Sequence, residues 1–71
     1  MSTVSLTENR YRVVLEEGQR GWRVIIQDPD GNAVSNRTCR DETEARTYAS
    51  SVRQHVYWLS EPRFRSYYQL P

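Results

Sequence analysis

The sequence predicts an α+β fold, in which a three-stranded antiparallel meander packs on one long helix and a short C-terminal helix follows (β-β-β-α-α). Three features predict it. Residues 22–26 (WRVII) are aromatic and β-branched, as expected of a half-buried strand. The turn 28–31 (DPDG) carries proline and glycine where a β-turn needs them. Asp41 and Glu44 have the spacing of a capping box at the start of an amphipathic run.

The first strand is predicted over residues 10–16, because apolar and polar residues alternate there. Tyr11, Val13 and Leu15 fall on one face, and Arg10, Arg12, Val14 and Glu16 fall on the other. Residues 17–21 contain two glycines and are typical of a hairpin loop.

The second strand places Trp22, Val24 and Ile26 on one face, and Arg23, Ile25 and Gln27 on the other. The third strand, residues 32–39, has few apolar residues, which favours an edge position. Both connections are too short for a parallel crossover, so the sheet is predicted to be antiparallel.

The long helix is predicted over residues 42–59, because its apolar residues recur at helical spacing and form one stripe. This stripe is predicted to cover one face of the sheet. The predicted core comprises Tyr11, Val13, Leu15, Trp22, Val24, Ile26, Ala45, Tyr48, Ala49, Val52, Val56 and Leu59.

A second, shorter helix is predicted over residues 61–69. Ser60 can cap it, Pro62 is tolerated in its first turn, and Phe64, Tyr67 and Tyr68 share one side. Residues 1–9 are polar and lack periodicity, so they are predicted to be flexible, and residues 10–71 are predicted to form a single small domain.

Composition favours a small cytoplasmic protein. The chain has 71 residues and a formal net charge of +1, which is too weak a field to argue for a polyanionic partner. It has neither the apolar core of a signal peptide nor a run long enough to span a membrane. All ten basic residues are arginine, which fits either phosphate recognition or simple codon bias.

The sequence does not predict an enzyme. It has one histidine, His55, and one cysteine, Cys39, and no nucleophile is paired with a base and an orienting acid. The turn 28–31 begins like a calcium loop, but its glycine comes too early and no glutamate closes it. We therefore expect no catalytic residue, no metal and no cofactor.

The outer face of the sheet, turned away from the helix, supports two different hypotheses. Arg12, Arg23 and Arg37 could all lie there and grip DNA phosphates or read base edges. Val14 and Ile25 share the same face, and apolar residues in the middle of an exposed sheet indicate a protein partner or a second copy. Arg46 and Arg53 on the helix form either a solvated face or a phosphate-contact stripe.

The C-terminal aromatic residues also allow two interpretations. Trp58 lies far from the helix stripe, and a tryptophan is rarely left fully exposed. Either the segment carrying Phe64, Tyr67 and Tyr68 folds back over Trp58, or these four residues anchor a protein partner.

The strand containing residues 21–24 (GWRV), the turn 28–31 (DPDG) and the helix start 42–45 (ETEA) resemble the AP2-like and integrase arm-binding DNA-recognition modules. The resemblance covers residues 21–49. It implies that the sheet enters the major groove and that Arg12, Arg23 and Arg37 contact DNA. The chain is less basic than those families and adds an aromatic tail.

The favoured hypothesis is a protein-interaction module that self-associates, and DNA binding through the outer sheet face is the alternative. The near-neutral charge, the outer-face pair Val14 and Ile25, and the aromatic tail favour the first hypothesis. Gene neighbourhood, above all a phage or plasmid setting, is the context that would identify a partner.

Overall fold

Three strands precede two helices in a computed structural model, which describes residues 9–71 of the chain. The elements are β1 (Arg12–Gly18), β2 (Gly21–Gln27), β3 (Ala33–Cys39), α1 (Glu42–Trp58) and α2 (Glu61–Tyr68). The strands form one antiparallel sheet in the order β1-β2-β3, and α1 packs against all three. The predicted α+β fold and its β-β-β-α-α order are confirmed.

The β1 strand begins two residues later than predicted, because the residues before it form hydrogen bonds outside the sheet. The Asn9 side-chain amide donates to the Leu59 carbonyl (3.0 Å), and its oxygen accepts from the Tyr11 N–H (3.0 Å). Asn9 therefore hydrogen-bonds the residue that follows α1, and the other residues of the predicted flexible N-terminus, 1–8, lie outside the described residues. At its other end β1 continues to Gly18, which pairs with Gly21, so the hairpin loop contains only two residues.

An irregularity in the sheet changes which residues of β3 face the helix. Ile26 pairs with Ser35 and the next residue, Gln27, pairs with Ala33, so Val34 is an extra residue on β3. Val34 nevertheless packs against the core. Beyond the bulge, Arg37 and Cys39 share the helix-facing side of the sheet, because they lie opposite Val24 and Trp22.

The turn before β3 and the start of α1 form as the sequence predicts. Asp28 accepts hydrogen bonds from the Asp30 N–H (3.0 Å) and the Asn32 N–H (2.8 Å), and these donors lower the pKa of its carboxyl. At the helix, the Asp41 carboxylate accepts from the Glu44 N–H (2.9 Å). The Glu44 carboxylate in turn accepts from the N–H of Arg40 (2.7 Å), one residue before the cap.

The core lies between α1, the sheet and α2. Of the twelve predicted core residues, six are buried (Tyr11, Val24, Ile26, Ala45, Ala49 and Val52), and six are half-buried and pack around them (Val13, Leu15, Trp22, Tyr48, Val56 and Leu59). Cys39 and Phe64 are also buried, although the prediction omitted them. Ala45 and Ala49 pack with Val24 and Cys39, so the small side chains let α1 approach the sheet closely.

The short helix α2 is attached to the start of the chain by an ion pair. The Arg10 guanidinium donates to both carboxylate oxygens of Glu61, at 2.9 and 3.2 Å, and the Arg10 N–H donates to the same group. These donors lower the pKa of the Glu61 carboxyl. The Ser60 side chain makes no capping hydrogen bond, so this contact and Phe64 position α2.

Glu61 should make the stability of the domain depend on acid pH. Its pKa is lower in the folded chain than in the unfolded chain, so its contribution is fully present above the ordinary pKa near 4.5. That contribution is lost as the pH falls through the lowered value. We expect Glu61→Gln to reduce stability slightly at pH 7 and to weaken the fall in stability on acidification, measured by urea unfolding at several pH values.

Asp28→Asn is the matched comparison for this prediction, because the Asp28 carboxyl also has a lowered pKa but holds only its own turn. If Glu61→Gln shows the same acid response as the wild type while Asp28→Asn flattens it, the ion pair with Arg10 does not contribute to stability as proposed.

Candidate functional site

Three rows of residues cross the outer face of the sheet, because residues directly opposite each other on neighbouring strands share a face. The middle row is apolar over two strands and ends in an amide: Val14, Ile25 and Asn36. The row at one end contains Arg12, Gln27 and Ala33, and the row at the other end contains Glu16, Arg23 and Thr38. These nine residues are called the outer face below.

No helix of the described chain covers the outer face. The α1 helix packs on the opposite side, against Val24 and Ile26, and α2 contacts α1 and contributes Phe64 to the same core. Val14 and Ile25 are half-buried, although no described helix packs over them. Both predicted interface residues on the sheet therefore lie together at the centre of an uncovered face.

Arg37 is not on the outer face, so the predicted cluster of three arginines is wrong. Its guanidinium carbon lies 4.5 Å from the centroid of the Tyr48 ring on α1, in a cation–π contact. Simple alternation counted from Val34, which is half-buried against the core, would turn Arg37 outward. The bulge at Val34 shifts that alternation by one residue, and the long arginine side chain then reaches past the helix to solvent.

The other candidate arginines are mostly engaged within the chain. Arg23 forms an ion pair with Glu16 on the outer face. On α1, Arg46 pairs with Glu42 (2.6 Å), and Arg53 donates to the Val13 carbonyl (3.4 Å) beside the β1 edge. Of the five arginines predicted to contact DNA, only Arg12 has neither an ion pair nor a hydrogen-bond or ring partner within residues 9–71.

Three aromatic side chains, Tyr57, Trp58 and Tyr67, lie exposed near the junction of α1 and α2. Trp58 is 68% exposed and Tyr67 is 61% exposed, so the C-terminal segment does not cover Trp58. Tyr67 stacks on His55, with their ring centroids 4.5 Å apart, and Trp58 lies one turn beyond His55 on α1. His55, Trp58 and Tyr67 are called the aromatic surface below.

Phe64 was predicted as an interface residue, but it is fully buried. It packs against Tyr11, with ring centroids 5.0 Å apart, and against Tyr68 at 4.9 Å. Tyr68 is half-buried beneath the aromatic surface, where its hydroxyl hydrogen-bonds Nδ1 of His55 (2.6 Å). Burial raises the pKa of the Tyr68 hydroxyl to about 12. Phe64 thus lies beneath this surface and does not form it, whereas Tyr68 remains partly exposed.

Glu16 and Asn36 belong to the outer face but were not predicted as site residues. The alternation in β1 already placed Glu16 on that face. Its charge is opposite in sign to that of Arg12, and this pairing in the sequence could have marked Glu16 as a site residue. Asn36 shares the outer face because it lies opposite Ile25 on β2.

The described residues contain no cluster of histidine, cysteine, aspartate or glutamate that could hold a metal ion. Cys39 is buried, and His55 is engaged by two tyrosines. Within residues 9–71, neither helix has the length and apolar character needed to span a bilayer. No protein-family model, curated protein or solved structure matches the chain.

Proposed function

We propose that this domain is a small protein-interaction module that self-associates through its outer face. The observation that carries the proposal is the apolar pair Val14 and Ile25 at the centre of a sheet face that no described helix covers. An exposed apolar patch with a polar surround is typical of a protein contact surface. Here the surround consists of Arg12, Gln27, Glu16 and Arg23.

Charge supports a protein partner over DNA on this face. A DNA-reading sheet needs several unopposed cations to neutralise phosphates. The outer face carries Arg12 and Arg23, but Glu16 lies beside them and pairs with Arg23. A phosphate backbone lying across this face would therefore meet the Glu16 carboxylate, which repels it. The net charge of +1 adds little long-range attraction.

The aromatic surface supports binding of a second, different protein. Tryptophan and tyrosine are enriched among the residues that contribute most to protein interfaces. Trp58 and Tyr67 are largely exposed, and the His55 ring that contacts Tyr67 is hydrogen-bonded to Tyr68. Tryptophan and tyrosine have few side-chain torsions, so they lose little side-chain entropy on binding.

Self-association can be tested by replacing the apolar pair with isosteric or smaller β-branched polar residues. We expect wild-type protein to show a mass above 8.4 kDa that rises with concentration in sedimentation equilibrium. The double variant Val14→Thr/Ile25→Thr should remain near the monomer mass. Dimerisation would remove the threonine hydroxyls from water without giving them hydrogen-bond partners, which costs free energy. Threonine keeps the strand propensity, so the sheet should persist.

Trp58→Ala is the matched control, because it removes a large exposed apolar group from the aromatic surface. It should self-associate like the wild type. A wild-type chain that stays monomeric at every concentration contradicts the proposal. DNA binding that weakens steeply with salt and is abolished by Arg12→Ala would favour the alternative.

A further inference from the structure

The outward-facing residues of β1 form a charge pattern that is complementary to itself. Arg12, Val14 and Glu16 follow each other at two-residue spacing, so a cation, an apolar group and an anion stand about 7 Å apart along one line. Reversing the direction of this line exchanges the two charges and leaves Val14 in place. A second copy laid antiparallel over the first therefore meets opposite charge at both ends.

We propose that two copies pack outer face to outer face, about a two-fold axis that runs along the row of Val14, Ile25 and Asn36. This inference rests on the proposed self-association and specifies its geometry. The axis places each residue of the row against the same residue of the second copy, as an isologous interface requires. It places Arg12 of each copy opposite Glu16 of the other.

The alternative axis in the plane of the sheet runs parallel to the strands and fits less well. It would reverse the order of the strands, placing β1 over β3 of the second copy. Val14 would then face Asn36, and Arg12 would face the row position of Ala33, so an apolar group would meet an amide and a cation would meet no anion. Of these two axes, the one along the middle row matches both polarity and charge.

The polar groups of the outer face can all find partners in this arrangement. Glu16 already accepts from Arg23 of its own chain, and a carboxylate has further lone pairs for Arg12 of the second copy. The Asn36 amide carries both donors and an acceptor, so two copies of it can pair across the axis. The axis also places Gln27 opposite Arg23 of the second copy, where its amide oxygen can accept from that guanidinium.

The size of the face indicates a weak dimer. Three strands of seven residues span roughly 24 by 14 Å. That footprint is smaller than the roughly 800 Å² per partner of a standard stable interface. We therefore expect an equilibrium between monomer and dimer that shifts over protein concentrations of about 10 µM to 1 mM.

A charge-exchange experiment tests this geometry. In its own dimer, Arg12→Glu places the new carboxylate opposite Glu16 at both ends, and Glu16→Arg places the new guanidinium opposite Arg12 at both ends. Each variant alone should stay monomeric at concentrations where wild-type protein dimerises. When the two are mixed, position 12 of the first meets position 16 of the second with opposite charge at both ends, so the dimer should return at an equimolar ratio.

Arg46→Glu and Glu42→Arg are the matched controls, because they change the net charge by the same amounts on α1. They should leave dimerisation unchanged. The double variant Arg12→Glu/Glu16→Arg keeps the net charge and should dimerise with itself, which covers the case in which one single variant fails to fold. A thermal melt verifies that each variant is folded.

The outcomes separate this inference from the proposed function. If wild-type protein never self-associates, both fail. If it self-associates but Arg12→Glu and Glu16→Arg do so equally well, the contact lies on another surface, and both the axis and the outer face of the proposed function are wrong. If each variant is monomeric and the mixture stays monomeric, Arg12 and Glu16 do not face each other and the axis is wrong.

Discussion

Replacing Phe64 by alanine is expected to destabilise the domain by about 3–5 kcal/mol, because it removes a fully buried ring and leaves a cavity. Phe64 belongs to the core cluster that also contains Tyr11, Ile26 and Val52. A loss of this size approaches the whole stability of a small domain. Urea unfolding followed by circular dichroism should show a much lower midpoint or a chain unfolded in buffer.

Tyr67→Ala is the control, because Tyr67 lies one turn away on α2 and is 61% exposed. Its midpoint should change by an amount equivalent to about 0.5–1 kcal/mol at most. If Phe64→Ala unfolds at the wild-type midpoint, α2 does not close the core and the assignment of Phe64 is wrong. If both variants are equally destabilised, the loss does not come from the burial that distinguishes Phe64 from Tyr67.

The strands, turns and helices could be predicted because their signals are local. The cap at Asp41 and Glu44 needs only three residues of separation, and Pro29 sets the turn before β3 by its own ring. Phe64 could not be assigned in this way. Its spacing from Tyr67 and Tyr68 indicates an aromatic side of α2 but not which ring enters the core, since the contact between Arg10 and Glu61 that orients α2 joins residues 51 positions apart.

The candidate site was predictable in β1 and β2 and not in β3. Alternation places Val14 and Ile25 on one face, and the register confirms that they lie opposite each other. Alternation fails in β3 because Val34 is inserted at a bulge, which turns Arg37 toward α1 and Asn36 outward. Few apolar residues mark β3, so the sequence contains no pattern that reveals the shift.

Ile26→Ala should destabilise the domain by about 2–5 kcal/mol, because Ile26 lies on the central strand and is fully buried against Tyr11, Val52 and Phe64. The sequence alone predicts the same loss for Leu15→Ala. Leu15 is only half-buried, on the edge strand β1, so part of its side chain is already in water and its truncation should have a smaller effect.

The comparison of these two positions tests how the core is distributed between the strands. Ile26→Val removes one methyl group without changing strand propensity and should cost about 0.5–1.5 kcal/mol, which calibrates the site. In thermal and urea melts, Ile26→Ala should therefore be the least stable protein, Leu15→Ala should be intermediate, and the wild type should be the most stable. Equal losses at the two positions would mean that Leu15 is covered as fully as Ile26, which is the result expected if a second chain packs over the edge strand.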